Sequence, residues 1–359
     1  MQRNLSLFIL LLLAANFANG QGCIAVRNIS GFGQYNLLDN GYVDAKWLIN
    51  VNTRYFKSYM DYRGKESLET VPANQAIVHS YSTDIGLVRI MDKGWTLNLS
   101  VPISSNSREA SLEHGGPNTT RHTTRSFGVG DIRFMVYKWF RIPEPTHKWN
   151  VQAGLGIKLP TGAYNYQDFF YRNDTTRVLA PVNPSIQLGD GGTGIITEVN
   201  AFYFISRMFS LYGNFYYLFN PREQNGVSTT AGRTPTPVQV KSGAVETSVP
   251  DQYSFRAGIN GSFNRIGLVL GIRDEGIPVY DKFGGSNGTR RAGRNVSIEP
   301  GIIYRLKTAA IFAYVPVFIS HEIKQNVPDK KATEITGVYL SSPGGSGDFM
   351  VFLGVQFRF

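Results

Sequence analysis

The side chains best suited to acid–base or nucleophilic work are five histidines, His79, His114, His122, His147 and His321. A hydrolase needs one of them beside an activated Ser, Cys or Thr, and a zinc enzyme of the common helical type needs two on one helix face next to a Glu. No Gly-x-Ser-x-Gly elbow and no His-Glu-x-x-His zinc motif is expected to accompany them. His114 and His122 sit in a polar stretch with Glu113, which reads as solvated surface. The run Gly189-Asp190-Gly191-Gly192-Thr193-Gly194 is rich in glycine but lacks the Lys and the helix of a phosphate loop, so it reads as a flexible lead into a strand. No enzyme, metal or cofactor is expected.

Charged residues offer the other source of chemistry. Net charge is +10, and +9 if Arg3 is removed with an export signal, yet no basic run of five occurs, so nucleic acid is not an expected partner. What matters is where these charges fall in alternating segments. Between Val43 and Tyr55 the odd positions carry Val, Ala, Trp, Ile and Tyr, and the even ones carry Asp44, Lys46, Asn50, Asn52 and Arg54. The same split recurs over 149–159, 253–263 and 348–359, giving one face that suits hydrocarbon and one that suits water. By this parity the inward, lumen-facing set is Lys46, Arg54, Asp84, Asp131, Arg133, Lys158, Glu198, Arg256, Arg273, Glu299, Arg305 and Arg358. Two roles are open to it: selecting solutes by charge, or pairing acid with base to brace the wall and narrow the pore.

The elements that must position these side chains are strands. About twelve are expected, at 42–57, 76–91, 95–103, 127–140, 148–160, 192–205, 208–220, 252–263, 266–275, 294–306, 309–321 and 348–359. Connectors alternate between tight turns, such as Asn264-Arg265, and long polar segments rich in Gly, Ser, Thr, Asn and Pro. That alternation, an even count and a charged fraction of 17% against about 25% in soluble domains predict an all-β, transmembrane, antiparallel up-and-down barrel spanning 42–359. Tyr55, Trp95, Trp139, Phe140, Trp149, Phe209 and Phe219 near strand ends read as interfacial aromatics.

Residues 1–20 combine Arg3, an apolar run from Leu5 to Ala15 and a small-residue end, the three parts of an export signal. Residues 21–41 then form a periplasmic arm or a plug. Cys23 is the one cysteine, so no internal disulfide is available, and the residues before it lack the apolar position of a lipid-attachment motif.

Val355-Gln356-Phe357-Arg358-Phe359 resembles the terminal signal of outer-membrane proteins, with Phe357 and Phe359 as its aromatics, which implies the barrel-assembly machinery as a partner. Gly128-Val129-Gly130-Asp131-Ile132-Arg133 and Gly154-Leu155-Gly156-Ile157-Lys158-Leu159-Pro160-Thr161-Gly162 resemble the outer-membrane family named for the meta-pathway of phenol degradation. The resemblance extends loosely from Ser80 to Phe359 and implies a barrel that passes small hydrophobic or aromatic molecules, in the manner of fatty-acid channels; segment 221–251 departs from it in length. The expected function is passage of a small solute across a bacterial outer membrane, in contact with its lipid. A structural, adhesive or assembly barrel acting through its outer loops is the alternative, and a barrel enzyme the third reading. Oligomeric state is open.

Overall fold

The computed structural model describes residues 45–68, 74–144 and 146–359, together with the backbone of 20–22, which pairs at the loop ends of two strands. The export segment, Cys23, Val43 and the expected arm at 21–41 otherwise lie outside the described residues.

Twelve strands form the barrel: β1 (Trp47–Ser58), β2 (Ile77–Ile90), β3 (Trp95–Ala110), β4 in two halves (His122–Val129 and Arg133–Trp139), β5 (Trp149–Lys158), β6 (Gly194–Phe204), β7 (Phe209–Phe219), β8 (Gln252–Phe263), β9 (Ile266–Pro278), β10 (Ala292–Arg305), β11 in two halves (Ala309–Tyr314 and Val317–Ile323) and β12 (Met350–Arg358). Each pairs antiparallel with its neighbours in sequence. The ring closes where β12 meets β1, with Leu48 opposite Arg358 and Phe56 opposite Met350. The Phe359 carbonyl accepts from Lys46 N–H at 2.9 Å, and Phe359 N–H donates to Trp47 at 3.0 Å. The terminal residue is thus tied into the seam.

Alternation sets which face turns outward. On β9, Ile266, Leu268, Leu270 and Ile272 are 42–55% exposed, while Val269 among them and Arg273 just after them are buried. A large apolar surface facing out of a closed ring, with polar groups inside, is the inverse of a soluble barrel and suits hydrocarbon. No helix among the described residues is long and apolar enough to cross a membrane. Turns at one end are short, and Lys93 and Asn264 take the positive φ (60° and 54°) that tight reversals need.

At the other end the connectors carry more structure than polar loops were expected to. Hairpin 167–181 pairs Gln167–Tyr171 with Arg177–Pro181. Helix α1 (Pro237–Ser242) and helix α2 (Val327–Thr336) touch each other, and α2 opens with an Asn326/Asp329 capping box. β3 runs to Ala110, past the expected end at 103, because its polar stretch Ser104–Glu109 pairs with Thr123–Gly128 beyond the apolar zone. A reading based on apolar alternation stops where the outward residues become polar.

β4 is broken for a local reason. Pro102 on β3 has no N–H to donate, its carbonyl takes Gly130 N–H at 2.8 Å, and β4 carries one residue more than β3 between Val129 and Arg133. The bulge turns the upper half of β4 away from β5 toward hairpin 167–181, whose Asp168 accepts Arg125 N–H at 2.8 Å.

Leu270, 55% exposed near the middle of β9 between Ile259 and Pro300, tests the outward assignment. Leu270→Arg is expected to lower unfolding free energy in vesicles by about 2–4 kcal/mol, the cost of a cation at mid-bilayer. An unchanged urea midpoint would reverse the two faces.

Candidate functional site

Eleven of the twelve expected lumen residues belong to strands or to the β4 break; Lys46 does not. It precedes β1 and is exposed, because the strand starts at Trp47 rather than at residue 42. Arg305 does face inward but at the short-turn rim, where it donates to the Asn264 carbonyl at 3.4 Å. Arg54 and Arg358 are both buried but lie at different heights of the seam, Arg54 opposite Phe352 and Arg358 opposite Leu48. Trp139, expected at the interface, is 3% exposed: it shares the inward parity of Met135 and Tyr137, and its ring packs edge-on against Phe202 at 5.9 Å.

The structure gathers the others into two clusters. On β8, β9 and β10, Arg256 Nε donates to Glu299 at 3.0 Å, Arg273 donates to Glu275 at 2.9 and 2.6 Å, and Arg273 lies 3.7 Å from Glu299. All four are at most 1% exposed. The guanidiniums also lie over aromatic rings, Arg256 over Tyr314 at 5.7 Å and Arg273 over Phe352 at 5.2 Å. Buried charges of this kind persist only when paired, and removing one partner typically costs about 3–5 kcal/mol. Glu275 was missing from the sequence-based set although it shares the parity of Arg273.

The second cluster sits at the β4 break. Arg133 reaches Asp84 at 3.3 Å, and Ser100 donates to the same carboxylate. Lys158 bonds Asp190 and lies 3.8 Å from Asp131, which accepts Gly162 N–H at 3.0 Å and Asp190 N–H at 3.2 Å. The Gly-Val-Gly-Asp-Ile-Arg run, the Pro-Thr-Gly run and the Gly-rich run at 189–194 therefore converge on one carboxylate. Gly189 is buried, and a Cβ there would come 2.5 Å from Asp131 and 2.6 Å from the Gly162 carbonyl, so this segment is a packed wedge, not a flexible lead. Nearby, Glu198 accepts from Tyr137 and Asn214, each at 2.8 Å. Asp190 had no strand parity to reveal it.

Inward glycines make room for the rings. A Cβ at Gly154 would lie 2.4 Å from Tyr137, at Gly271 2.1 Å from Tyr212, and at Gly354 2.2 Å from Phe312. Tyr137 and Phe312 pack against a glycine of the neighbouring strand, and Tyr212 reaches past Gly258 on β8 to bring its hydroxyl to Gly271 on β9. Tyr212 and Phe312 join Phe56, Met350 and Phe352 in one buried apolar cluster inside the barrel, and Tyr137 belongs to a second with Met135, Ile196, Tyr216 and Leu218.

Toward the long loops the lumen opens into a cavity of about 380 Å³. Arg133, Lys158 and Tyr216 line it together with Leu188, Leu218 and Ile277. Its upper part carries Arg108, whose Nε donates to both oxygens of Glu113 at 3.0 Å, and Asn183 donates to the same carboxylate at 2.6 Å. Burial alone would raise Glu113, but Arg108 outweighs it and holds the carboxyl below its ordinary value.

His114 corrects the expectation of a solvated loop: it is 1% exposed. Its ring stacks on Phe170 at 5.2 Å, His122 lies 5.3 Å away, and Nδ1 accepts Tyr171 N–H at 3.0 Å. Gly284-Gly285-Ser286-Asn287-Gly288 does spell Gly-x-Ser-x-Gly, but it lies between β9 and β10 with no helix after it, and Ser286 Oγ accepts Asp281 N–H. It is a loop brace rather than an elbow. No cluster of three or more metal-ligating side chains occurs among the described residues.

No protein-family model matches the chain, and no curated protein matches it. Among solved structures it is similar to a COG4313 outer membrane channel from Pseudomonas putida F1, at 11% identity over 88% of this chain and 96% of that one, with a TM-score of 0.56. A FadL homologue from Pseudomonas aeruginosa aligns at 9% identity over 88% and 90%, with a TM-score of 0.41. The fold is that of bacterial outer-membrane barrels.

Burial, and then the charge of His122, push the His114 ring down to about 4 from its ordinary 6.5. Protonation must also displace the Tyr171 N–H from Nδ1. The folded form binds its proton at lower pH than the unfolded one, so this contribution to stability is complete above about pH 6.5 and lost as pH falls toward 4. Hydrogen-exchange protection factors in 111–121 and 167–181, referred to the intrinsic rate at each pH, should fall over that window in the wild type and lose most of that dependence in His114→Gln. Identical pH profiles would remove His114 as the cause.

Proposed function

We propose that this chain is a bacterial outer-membrane channel for a small, partly apolar solute taken up through the loop-end cavity. The observation that carries the reading is the cavity's mixed lining, polar at the ion-paired Arg133, Lys158, Asp131 and Asp190 and apolar at Leu188, Leu218 and Ile277, set above a lumen filled by ion pairs and rings. Such a lining suits a ligand with an apolar body and a polar end. Twelve strands enclose more than a side-chain-filled small barrel and less than a porin of about 16–18, which supports a narrow conduit. The Gly-Val-Gly-Asp and Pro-Thr-Gly runs, convergent on Asp131, favour kinship with the phenol meta-pathway barrels and with an aromatic or otherwise hydrophobic solute. Folding through the barrel-assembly machinery accords with the seam position of Phe359. A second reading, a barrel acting through its outer loops, draws on the ordered helices and hairpin there.

Refolded protein, residues 21–359, distinguishes the two. Planar bilayers should show no large steady conductance, while vesicles carrying the barrel should take up radiolabelled benzoate faster than empty vesicles and faster than they take up a neutral sugar. Glu299→Ala, which removes the carboxylate bound to Arg256 inside the lumen, should change the rate of benzoate uptake without altering exclusion of the neutral sugar. A wide, unselective conductance would contradict the narrow conduit, and a folded barrel passing neither probe would favour the loop reading.

A further inference from the structure

The outward face near the long loops is not uniform around the barrel. Lys57, His79, Ser107 and Arg125 occupy one register row across β1 to β4. Lys57 and Arg125 are exposed. The next outward row toward the membrane holds Tyr55, Tyr81, Ser105 and Phe127, where the Tyr55 and Tyr81 rings lie 4.6 Å apart and Phe127 is 68% exposed. Hairpin 167–181 extends both rows. Phe169 and its partner Leu179 turn outward, 38% and 54% exposed, and the exposed Arg177 guanidinium lies 4.1 Å from the Phe169 ring. Cations therefore stand directly above an apolar surface.

Among the described residues no carboxylate forms an ion pair with Lys57, Arg125 or Arg177. Acids nearby are Asp168, whose oxygens accept the backbone N–H groups of Arg125 and Phe169, exposed Asp174 in the hairpin turn, Glu109, paired with Arg121 at 3.2 Å, and exposed Asp348, which accepts from the hydroxyl of Tyr59, whose ring lies 5.1 Å from Lys57 Nζ. On the far wall the corresponding outward positions are balanced. Arg294 is bound to Asp274 at 2.6 Å, its register partner is Glu322, and Glu322 lies 3.7 Å from Lys324. A general belt of snorkelling cations would ring the barrel, whereas this one is confined to β1–β4 and the hairpin.

We propose that this face holds the phosphorylated headgroup of an outer-leaflet lipid, with acyl chain against Phe127, Phe169 and Leu179 and phosphate oxygens on Lys57, Arg125 and Arg177. Charge complementarity selects an anionic headgroup. The row crosses three strand spacings, about 14 Å, which accommodates a headgroup bearing two phosphates. The site is on the outer wall and is independent of whether the lumen conducts.

The test reconstitutes the whole protein in phosphatidylcholine vesicles containing a bis-phosphorylated glucosamine lipid or its dephosphorylated form, then extracts it and reads retained lipid by native mass spectrometry. The phosphorylated lipid should be retained in preference to its dephosphorylated form. Lys57→Gln with Arg125→Gln and Arg177→Gln should lower retention about tenfold or more, and Arg294→Gln with Lys324→Gln should not. Arg125→Gln and Arg177→Gln, each alone and verified as folded by heat-modifiable migration, should each lower retention and stand in if the triple variant does not fold. Equal retention of the two lipids, undiminished retention in the folded single variants, or displacement by inorganic phosphate alone would overturn the proposal.

Discussion

Inside hydrocarbon every backbone N–H and C=O must find a partner in the protein, and the pairing of β1 with β12 is the contact that makes this complete. Without it the sheet would present two open edges to lipid, where each unmet group costs several kcal/mol. The rest of the architecture follows from closure. A closed ring fixes which face is outward, alternation fills that face with Leu, Ile, Val and Phe, and the inward face is left to glycine, aromatic rings and charge. The bond between Phe359 and Trp47 gives the terminal aromatic a structural place as well as its resemblance to an assembly signal.

The interior solves a second problem. Guanidiniums and carboxylates held at 1% exposure or less are tolerated because Arg256, Arg273, Glu275 and Glu299 neutralise one another and because rings from β11 and β12 cover them. Across the lumen, Asp131 does a different job. It collects N–H groups from the two ends of loop 159–193 and an ammonium from β5, and so fixes that loop across the β4 break. One cluster narrows the lumen, and the other shapes the floor of the cavity above it.

Most of the barrel was legible from period two. The strand positions, the alternation of short and long connectors and the inward parity of Arg256, Arg273 and Glu299 need only that side chains alternate. What period two cannot convey is anything set by contacts between distant segments. Nothing local marks His114 as buried, since Phe170, Tyr171 and His122 are brought to it by the hairpin and β4. Asp190 lies in a glycine run whose packing depends on Asp131 and Gly162. Trp139 was misplaced because strand-end position was weighed above parity. Lys46 was misplaced because alternation in sequence continues past the point where pairing begins.

Closure in the stated register is the claim on which the remainder depends, and one cross-link examines it directly. Val51 and Val355 face each other across the seam. In a Cys23→Ser background, Val51→Cys with Val355→Cys should oxidise to an intramolecular disulfide in the membrane-assembled protein, and Val51→Cys with Leu353→Cys should not. No disulfide in folded protein, or efficient formation only with position 353, would show the seam to be open or slipped by two residues and would contradict the closed ring in this register.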